Sequence, residues 1–368
     1  MTLRKLPLIL FLWILCAFAA HAQTTTLSDV RGRQVRLELP AKRVALGFYF
    51  EDYLAISGEQ GWGNVVGISR DAWKVWRPDS WRLYVARMPA LARLADFGEV
   101  EAMSFSVEKL IELKPDVLVL ADWQFQGLGS EVERIGAAGI PIVVVDYNAQ
   151  KLESHLASTT LLGAIAGKPE RARAINKDYR DAIAQIRQRL ERADLPQPRV
   201  YAEFGNKGPA EYGFTYGKNM WGAMIEQAGG VNIAKPFVEW WGPINPEQIL
   251  AARPDVVLIS GTETSKNPSA MRMGQGVARK DAAARLAGYA MRAGWDSLPA
   301  VKGRRIYGVY QGASRTQADY TMVQYLAKVL YPGLFDDIDP ERNYLEFYRK
   351  YLPVVPQGTF MTDLAALR

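Results

Sequence analysis

Residues 106–120 read SVEKLIELKPDVLVL, and residues 245–260 read NPEQILAARPDVVLIS. Each segment predicts a capped amphipathic helix, a Pro-Asp turn and a hydrophobic strand. The aspartates of the two turns, Asp116 and Asp255, lie 139 positions apart, which is far too long a period for a solenoid repeat. The repeated phrase therefore indicates that one lobe design is used twice, and it predicts a cleft between the two lobes.

The first 22 residues have the composition of a secretory signal peptide. Arg4 and Lys5 give a basic start, residues 6–18 are nearly all apolar, and residues 20–22 (Ala-His-Ala) form a small-x-small cleavage site. The apolar run is shorter than the length of about 20 residues that a membrane-spanning helix needs. We therefore expect an exported, periplasmic protein that is cleaved after Ala22.

Cysteine use and charge narrow the classes of function. The only cysteine, Cys16, lies inside the predicted signal peptide and lacks the small preceding residue that a lipoprotein signal needs. The exported chain would have no disulfide, no thiolate metal site and no cysteine nucleophile. Without Arg4 and Lys5 it holds 43 basic and 39 acidic residues, a net charge of +4. No dense basic block predicts nucleic-acid binding, and the mild excess suits an anionic ligand or is ordinary surface charge.

Short apolar strands alternate with helical stretches in both halves of the chain. This rhythm predicts an α/β fold with two Rossmann-like lobes, each built on a parallel sheet that helices cover on both faces. We assign residues 23–168 to the N-terminal lobe and residues 196–368 to the C-terminal lobe with a C-terminal extension. The aromatic residues of that extension should pack onto the second lobe. Strands are predicted at residues 43–48, 64–69, 117–120, 140–146, 199–204, 256–259 and 305–309.

A long helix is predicted between the lobes, over about residues 169–193 of a connecting segment 169–195. Pro169 can begin the helix, and Pro196 and Pro198 follow its end. Its apolar residues fall on one stripe of a highly charged helix. A single stiff connector should allow little hinge motion. The stripe consists of Ala172, Ile175, Tyr179, Ala182, Ile183, Ile186, Leu190 and Ala193.

Catalysis has little support in the sequence. His155 is the only histidine after residue 22, and it lies in a polar stretch that we interpret as a surface helix. A hydrolytic triad needs a base beside a nucleophile, and no G-x-S-x-G motif accompanies this histidine. One histidine without cysteine nearly excludes a dedicated zinc or manganese cage, and no P-loop is present. We therefore expect no catalytic residue, no protein metal site and no cofactor other than a bound ligand.

Aromatic and basic residues follow the predicted strand ends in both halves. In open parallel sheets, ligands bind beyond the carboxyl ends of the strands. Rings supply contact area and arginines supply charge-assisted bonds, which suits a bulky, planar or anionic ligand, although buried loop packing is the alternative for any single residue. The candidate ligand-binding residues are Tyr49, Arg70, Trp73, Trp76, Tyr84, Arg87, Trp123, Tyr212, Tyr216, Trp240, Trp241, Tyr310 and Arg315.

Each copy of the repeated phrase carries a glutamate at its second helical position. Ser106 is a good N-cap before Glu108, and Asn245, followed by a proline at the first helical position, is a good N-cap before Glu247. The helix dipole alone favours an acidic residue there by about 0.3–1 kcal/mol. The alternative is a docking role, with one acidic residue on each lobe.

These features together resemble the periplasmic binding proteins of ABC importers for ferric siderophores, haem and vitamin B12. The resemblance covers about residues 26–335. It rests on the export signal, the repeated Pro-Asp phrase and the single long helix. Residues 229–234 (GGVNIA) and residues 295–307 (WDSLPAVKGRRIY) complete it.

The resemblance implies a shallow cleft, limited closure and delivery of the ligand to an inner-membrane permease. In this family one glutamate on each lobe pairs with permease arginines, and the matching positions are Glu108 and Glu247. The scarcity of histidine departs from members that complete an iron shell with His and Tyr, which leaves Tyr or no protein ligand at all.

The preferred ligand is a ferric siderophore bound by a monomer, and haem or a corrinoid is the nearest alternative. An enzyme acting on a metal chelate and a secreted interaction module are the other classes left open.

Overall fold

The computed structural model describes residues 23–367 of the chain. The predicted signal peptide and its cleavage site therefore lie outside the described residues. Within residues 23–367, no helix is both long enough and apolar enough to cross a membrane.

The first lobe contains a five-stranded, wholly parallel sheet and a separate antiparallel hairpin. Its strands are β1 (Gln23–Ser28), β2 (Gln34–Leu39), β3 (Val44–Leu46), β4 (Val65–Ile68), β5 (Ala95–Asp96), β6 (Val117–Ala121) and β7 (Ile142–Val145). Its helices are α1 (Phe50–Gly61), α2 (Asp71–Lys74), α3 (Pro78–Arg87), α4 (Val107–Glu112), α5 (Asp122–Leu128), α6 (Glu131–Ala137) and α7 (Leu152–Ile165). The sheet has the order β5-β4-β3-β6-β7, and β1 pairs with β2.

Both faces of this sheet are buried. Every residue of β6 is buried, and successive side chains fall into two different apolar cores. Val117 and Val119 belong to the larger core, whereas Leu118 and Leu120 belong to a smaller core beneath α4 and α6. The continuous apolar run therefore reflects helices on both faces, as the parallel-sheet interpretation predicts.

The second lobe contains a mixed sheet of seven strands and a separate antiparallel pair of two-residue strands. Its strands are β8 (Arg199–Phe204), β9 (Thr215–Tyr216), β10 (Val231–Asn232), β11 (Trp241–Gly242), β12 (Val256–Gly261), β13 (Gly274–Gln275), β14 (Ile306–Tyr310), β15 (Gly358–Thr359) and β16 (Met361–Asp363). Its helices are α9 (Met220–Gln227), α10 (Pro246–Ala252), α11 (Arg279–Ala290), α12 (Pro299–Lys302), α13 (Tyr320–Leu330) and α14 (Pro340–Tyr351).

Only the centre of the second sheet is the expected parallel one. The order is β11-β9-β8-β12-β14-β16, with β10 also paired to β8. β8, β12 and β14 are parallel to one another, but β9, β11 and β16 run antiparallel at the two edges. β9 and β11 come from the segment between β8 and α10, and β16 comes from the end of the chain.

The predicted connector forms one continuous helix, α8 (Pro169–Ala193). It buries Ala172, Ile175, Tyr179 and Ile186 of the predicted stripe. It packs against α7 before it and α13 of the second lobe. The apolar stripe is therefore the buried face of α8, as its spacing predicts, and it packs the connector against both lobes.

The C-terminal extension contacts more than the second lobe. β16 adds to the second sheet, and α14 packs against α13. From α14, the Tyr348 hydroxyl donates to Glu51 of the first lobe at 3.3 Å. Lys350 pairs with Asp178 of α8 at 2.6 Å. The extension therefore fastens both lobes and the connector, which is a wider role than the expected packing onto the second lobe.

The aspartates of the two Pro-Asp turns play the same part in both lobes, although they accept different numbers of hydrogen bonds. The Asp116 carboxylate accepts from the backbone N–H groups of Lys42 and Arg43, at 2.8 and 2.9 Å. The Asp255 carboxylate accepts from the N–H of Arg199 at 2.8 Å. Each aspartate thus holds the beginning of the neighbouring strand, β3 or β8.

Candidate functional site

Phe48 is the centre of an aromatic wall on the first lobe. It follows β3, and its ring centroid lies 5.0 Å from that of Tyr49, 6.1 Å from Trp76 and 5.6 Å from Trp123. β3, β4 and β6 are neighbouring parallel strands, so the residues after their carboxyl ends converge. Three predicted ligand residues, Tyr49, Trp76 and Trp123, therefore surround Phe48. Phe48 follows the same strand as Tyr49 but was not among the predicted ligand residues.

Arg315 approaches this wall from the second lobe. Its guanidinium carbon lies 4.7 Å from the centroid of the Phe48 ring, a cation–π contact between the lobes. Among residues 23–367 it has no hydrogen-bond acceptor and no carboxylate partner. Burial lowers the pKa of Arg315, and Tyr49 offsets this only in part. Arg315 is partly buried, and a charged donor that loses water without gaining an acceptor is costly, so this position suits an anionic group of a ligand.

Tyr216 and Trp241 form the second-lobe side of the site. Tyr216 is fully buried, and its hydroxyl donates to Gln311 at 2.6 Å and lies 2.9 Å from the Ser260 hydroxyl. The Trp241 ring packs 5.3 Å from the Tyr216 ring and remains 40% exposed. Trp221 donates its indole N–H to the same Gln311 oxygen at 2.9 Å. Gln311 was missed, although it directly follows β14 and the strand-end argument could have found it.

Tyr49 is held rigidly on the first-lobe side. Its hydroxyl donates to Asn148 at 2.8 Å and accepts from the N–H of Tyr147 at 3.2 Å. Burial raises the pKa of Tyr49, and Asp146 adds to the effect. Burial also raises the pKa of Tyr216 above its ordinary value. Both phenols are therefore neutral near pH 7 and act as hydrogen-bond groups rather than phenolates.

Two predicted ligand residues, Trp73 and Tyr84, belong to the core instead. Trp73 is fully buried and stacks on Phe50, with centroids 5.3 Å apart and an interplanar angle of 2°. Tyr84 is also buried, and its ring packs against Trp73. α2 and α3 turn these side chains inward, so they support the aromatic wall from below without reaching the cleft.

The arginines selected near them also make other contacts. Arg70 donates to the carbonyl oxygen of Leu94 within the first lobe. Arg87 lies exposed at the end of α3 and pairs with Glu59 at 2.8 Å. Neither side chain joins the group around Phe48.

In the second lobe, Tyr212 and Trp240 also lie outside the group. The guanidinium carbon of Arg292 lies 4.2 Å from the centroid of the Tyr212 ring, and the Tyr212 hydroxyl accepts from the indole N–H of Trp295. Tyr212 therefore covers the buried ion pair of Arg292 with Glu203. Trp240 is 56% exposed and precedes Trp241 on the edge strand.

Tyr310 contributes to a tie between the lobes that the sequence did not reveal. Glu263, fully buried in the second lobe, accepts from the N–H groups of Asp79 and Ser80 at 2.8 and 2.9 Å, and from the Ser80 hydroxyl. The Tyr310 hydroxyl donates to the same carboxylate at 2.8 Å. We call Asp79, Ser80, Glu263 and Tyr310 the interlobe latch. Glu263 follows β12 by two residues, so the strand-end argument could have selected it.

Arg77 links this latch to the first lobe. Its guanidinium pairs with the carboxylate of Glu51, and both side chains are largely buried. Burial alone would lower the pKa of Arg77, but Glu51 and the neighbouring tyrosines raise it above the ordinary value. Arg77 is therefore a paired cation, unlike Arg315.

A second set of buried polar groups lines the contact between the lobes. Asp52 accepts from the N–H of Gln317 at 2.7 Å, and burial raises the pKa of Asp52 to about 7.

His155 is 2% exposed and stacks on Tyr179, so its expected surface position was wrong. Burial lowers the pKa of His155 to about 3. Its helix looked polar but is enclosed by α8 and by Asp319 of the second lobe.

Two concavities among the described residues lie away from the predicted site. One, of about 500 Å³, lies on the second lobe between Pro209, Arg272 and Arg285. The other, of about 400 Å³, lies where α8, α13 and α14 meet. Neither contains a predicted ligand residue. Residues 23–367 also contain no group of three or more His, Cys, Asp or Glu side chains that could hold a metal ion.

Glu108 and Glu247 occupy the expected helix starts. The Ser106 hydroxyl accepts from the N–H of Lys109 at 3.2 Å, and the Asn245 side chain accepts from the N–H of Glu247 at 2.9 Å. Both glutamates are exposed. α4 and α10 each lead into a parallel strand, so their N-termini lie at the same carboxyl edge of the sheets as the cleft.

Comparison with known proteins agrees with this architecture. Residues 64–311 match the family described as periplasmic binding protein. A solved TroA-like periplasmic binding protein, FepB from Veillonella parvula, is 34% identical with a TM-score of 0.86, over 92% of this chain and 99% of that one.

Two curated relatives are more distant. The molybdate-binding protein MolA of Haemophilus influenzae is 22% identical over 303 residues, 75% of this chain and 77% of its own length. A vitamin B12-binding protein of Yersinia pestis is 28% identical over 161 residues, and this match spans 54% of its length. The chain therefore spans about half of the vitamin B12-binding relative.

Proposed function

The chain belongs to the family of periplasmic binding proteins, and on that premise we propose that it binds an anionic metal chelate with planar rings, a ferric siderophore in the first instance. We further propose that it works as a monomer and delivers this ligand to an inner-membrane ABC permease. The exported form would begin after Ala22.

Arg315 is the single observation that carries the choice of ligand. It is a partly buried cation with no hydrogen-bond acceptor among the described residues, and it faces the aromatic wall of the opposite lobe. A carboxylate or catecholate oxygen would supply the missing acceptor. Trp76 and Trp123 beside Phe48 would supply ring contacts to the same ligand.

The metal would be held by the chelator and not by the protein. The raised pKa values of Tyr49 and Tyr216 disfavour the phenolates that ferric iron prefers as ligands. Both hydroxyls are also engaged, one with Asn148 and one with Gln311. These observations support recognition of a complete chelate by its outer groups.

A corrinoid or haem is the second candidate ligand. The match to a vitamin B12-binding protein favours a corrinoid, and the propionates of haem would also suit Arg315. The match to a molybdate-binding protein is a further precedent for an anionic metal ligand in this family. An enzymatic role has weaker support, since His155, the one histidine in the described residues, is buried and neutral near pH 7.

Tryptophan fluorescence titration tests the proposal. The ligands are ferric tris-catecholate, ferric hydroxamate, ferric citrate, haemin and cyanocobalamin. We expect saturable quenching by an anionic chelate, because Trp76, Trp123 and Trp241 surround the site. Arg315→Gln should weaken that binding by about tenfold or more, since a charge-assisted bond is lost. The control Arg87→Gln, which removes an exposed cation outside the site, should bind normally. Absence of quenching by every ligand would overturn the proposal.

A further inference from the structure

We propose that Glu263 is a positioning residue of the ligand site, because it caps a helix of the opposite lobe and thereby fixes the width of the cleft. The consequence for ligand binding rests on the proposed function, but the consequence for lobe spacing does not. The starting observation is that the carboxylate of Glu263 is fully buried and receives every one of its hydrogen bonds from the latch.

The helix that Glu263 caps has no cap of its own. α3 begins at Pro78, and Arg77, at the position before it, makes no side-chain hydrogen bond to the N-terminus. A helix start leaves unpaired N–H groups that normally take a partner from the same segment. Here the partner is 184 residues away in sequence, measured from Asp79, and lies in the other lobe. The first-lobe helix is therefore complete only when the second lobe is in contact.

The capped end of α3 lies directly beside the ligand site. Trp76 and Arg77 are the two residues before it, and Trp76 contacts Phe48. Phe48 in turn faces Arg315 from the second lobe. Movement of the α3 start would therefore displace the aromatic wall relative to the unpaired arginine. Because Arg77 pairs with Glu51 of α1, the displacement would extend into the body of the first lobe.

This arrangement adds a restraint beside the ligand wall to those that the connector helix and α14 already provide. α8 joins the lobes on one side, and a hinge at its end would still allow the cleft to open. The latch joins the lobes at Ser80, near the ligand wall, and it includes Tyr310, the last residue of β14 and the residue before Gln311. The latch therefore opposes the motion that α8 leaves possible.

Spin-label distance measurements provide the test. In the chain after Ala22, which has no cysteine, Ala138→Cys and Lys302→Cys place labels on exposed positions of the first and second lobes. Glu263→Ala should lengthen and broaden the distance distribution. Glu263→Gln should restore most of it, because the amide oxygen can accept the two N–H bonds and the hydroxyls of Ser80 and Tyr310 can rotate to accept.

The matched control is Glu99→Ala. Glu99 is also fully buried, but its partners Ala102 and Gln124 lie in its own lobe. This variant should lower the melting temperature without changing the distance between the labels. If Glu263→Ala does not fold, the double variant Ser80→Ala with Tyr310→Phe removes the two hydroxyl donors and should broaden the distribution less strongly.

Ligand kinetics give an independent readout. With the ferric tris-catecholate of the titration as probe, dissociation from Glu263→Ala should be about tenfold faster, and Glu263→Gln should be close to the parent protein. An unchanged distance distribution in Glu263→Ala, or in the double variant if that one is used, would overturn the positioning role. A changed distribution with no binding of the probe by the parent protein would keep the latch and reject the proposed ligand.

Discussion

The two copies of the repeated phrase, one in each lobe, have the same turn conformation. They differ in whether their glutamate has an ion-pair partner within the protein. In both copies the residue before the Pro-Asp pair has a positive φ, 44° at Lys114 and 47° at Arg253. Such a backbone is strained for a residue with a side chain. The following aspartate compensates by capping the neighbouring strand. The turn is therefore the part of the phrase that the fold itself requires.

The two glutamates, unlike the turns, make different contacts in the two lobes. Glu108 accepts from Arg134 at 2.8 Å and from the Ser106 hydroxyl at 3.3 Å. A hydrogen bond from its own backbone N–H lowers the pKa of Glu108, and hydrogen bonds from Arg134 and Ser106 lower it further. Glu247 has no ion-pair partner among the described residues. A partner protein would find Glu247 unpaired but would have to displace Arg134 from Glu108.

The largest expected effect tests whether the two glutamates act together. Glu108→Ala with Glu247→Ala should reduce uptake in a reconstituted system by roughly a hundredfold, because two charge pairs with the permease are lost. Ligand affinity in the fluorescence titration should be unchanged. The control, Glu112→Ala with Glu239→Ala, removes two other exposed glutamates and should transport normally. Unaltered transport by the first pair would reject the docking role.

The turns should differ in how much they stabilise their lobes. Asp116→Ala removes the acceptor of two backbone N–H groups and should lower the free energy of unfolding by about 2 kcal/mol. Asp255→Ala removes the acceptor of one and should lower it by about 1 kcal/mol. Urea denaturation of both variants measures the difference. Equal losses would mean that the second hydrogen bond of Asp116 adds nothing.

The single docking variants should reveal the asymmetry between the lobes. Glu247→Ala should reduce uptake roughly threefold more than Glu108→Ala, because only the Glu108 contact must first give up an internal pair. In an Arg134→Ala background this difference in uptake should become smaller, because Glu108 no longer has an internal partner. Uptake by Glu247→Ala and Glu108→Ala, measured with and without Arg134→Ala, is the test. An unchanged difference would contradict the prediction.

The smallest effect concerns stability at the same pair. Arg134→Ala should change the free energy of unfolding by less than about 1 kcal/mol, since exposed ion pairs contribute little. Thermal unfolding with and without 0.5 M salt, a concentration at which the screening length falls to roughly 4 Å, is the measurement. A larger loss would show that Arg134 supports the first lobe rather than restraining Glu108.

The sequence predicted the elements whose pattern is local. The 3.6-residue stripe gave α8, and the repeated phrase gave two capped helices followed by buried strands. Two-residue strands such as β9 and β11 were missed because their pairing depends on distant segments and leaves no periodic signal.

The ligand site was only partly predictable for the same reason. Trp73 and Trp76 lie three residues apart on the same segment, and composition alone does not tell which ring enters the core. Residue type also misled at His155, where polar neighbours concealed a buried position. Glu263 accepts hydrogen bonds from residues 183 and 184 positions away. The position of Glu263 after a strand can suggest a functional role, but it does not identify these partners.

The C-terminal helix has a consequence for how the molecule assembles. Its Tyr348 contacts Glu51, 297 positions earlier in the chain. Contacts of such high sequence separation close late, because the loop entropy must be lost before they form. During export the first lobe can fold while the second is still emerging, but it cannot be fastened until α14 has arrived. The order of synthesis therefore leaves this contact between the lobes to the end, after the segments that carry Glu263 and Tyr310 have already emerged.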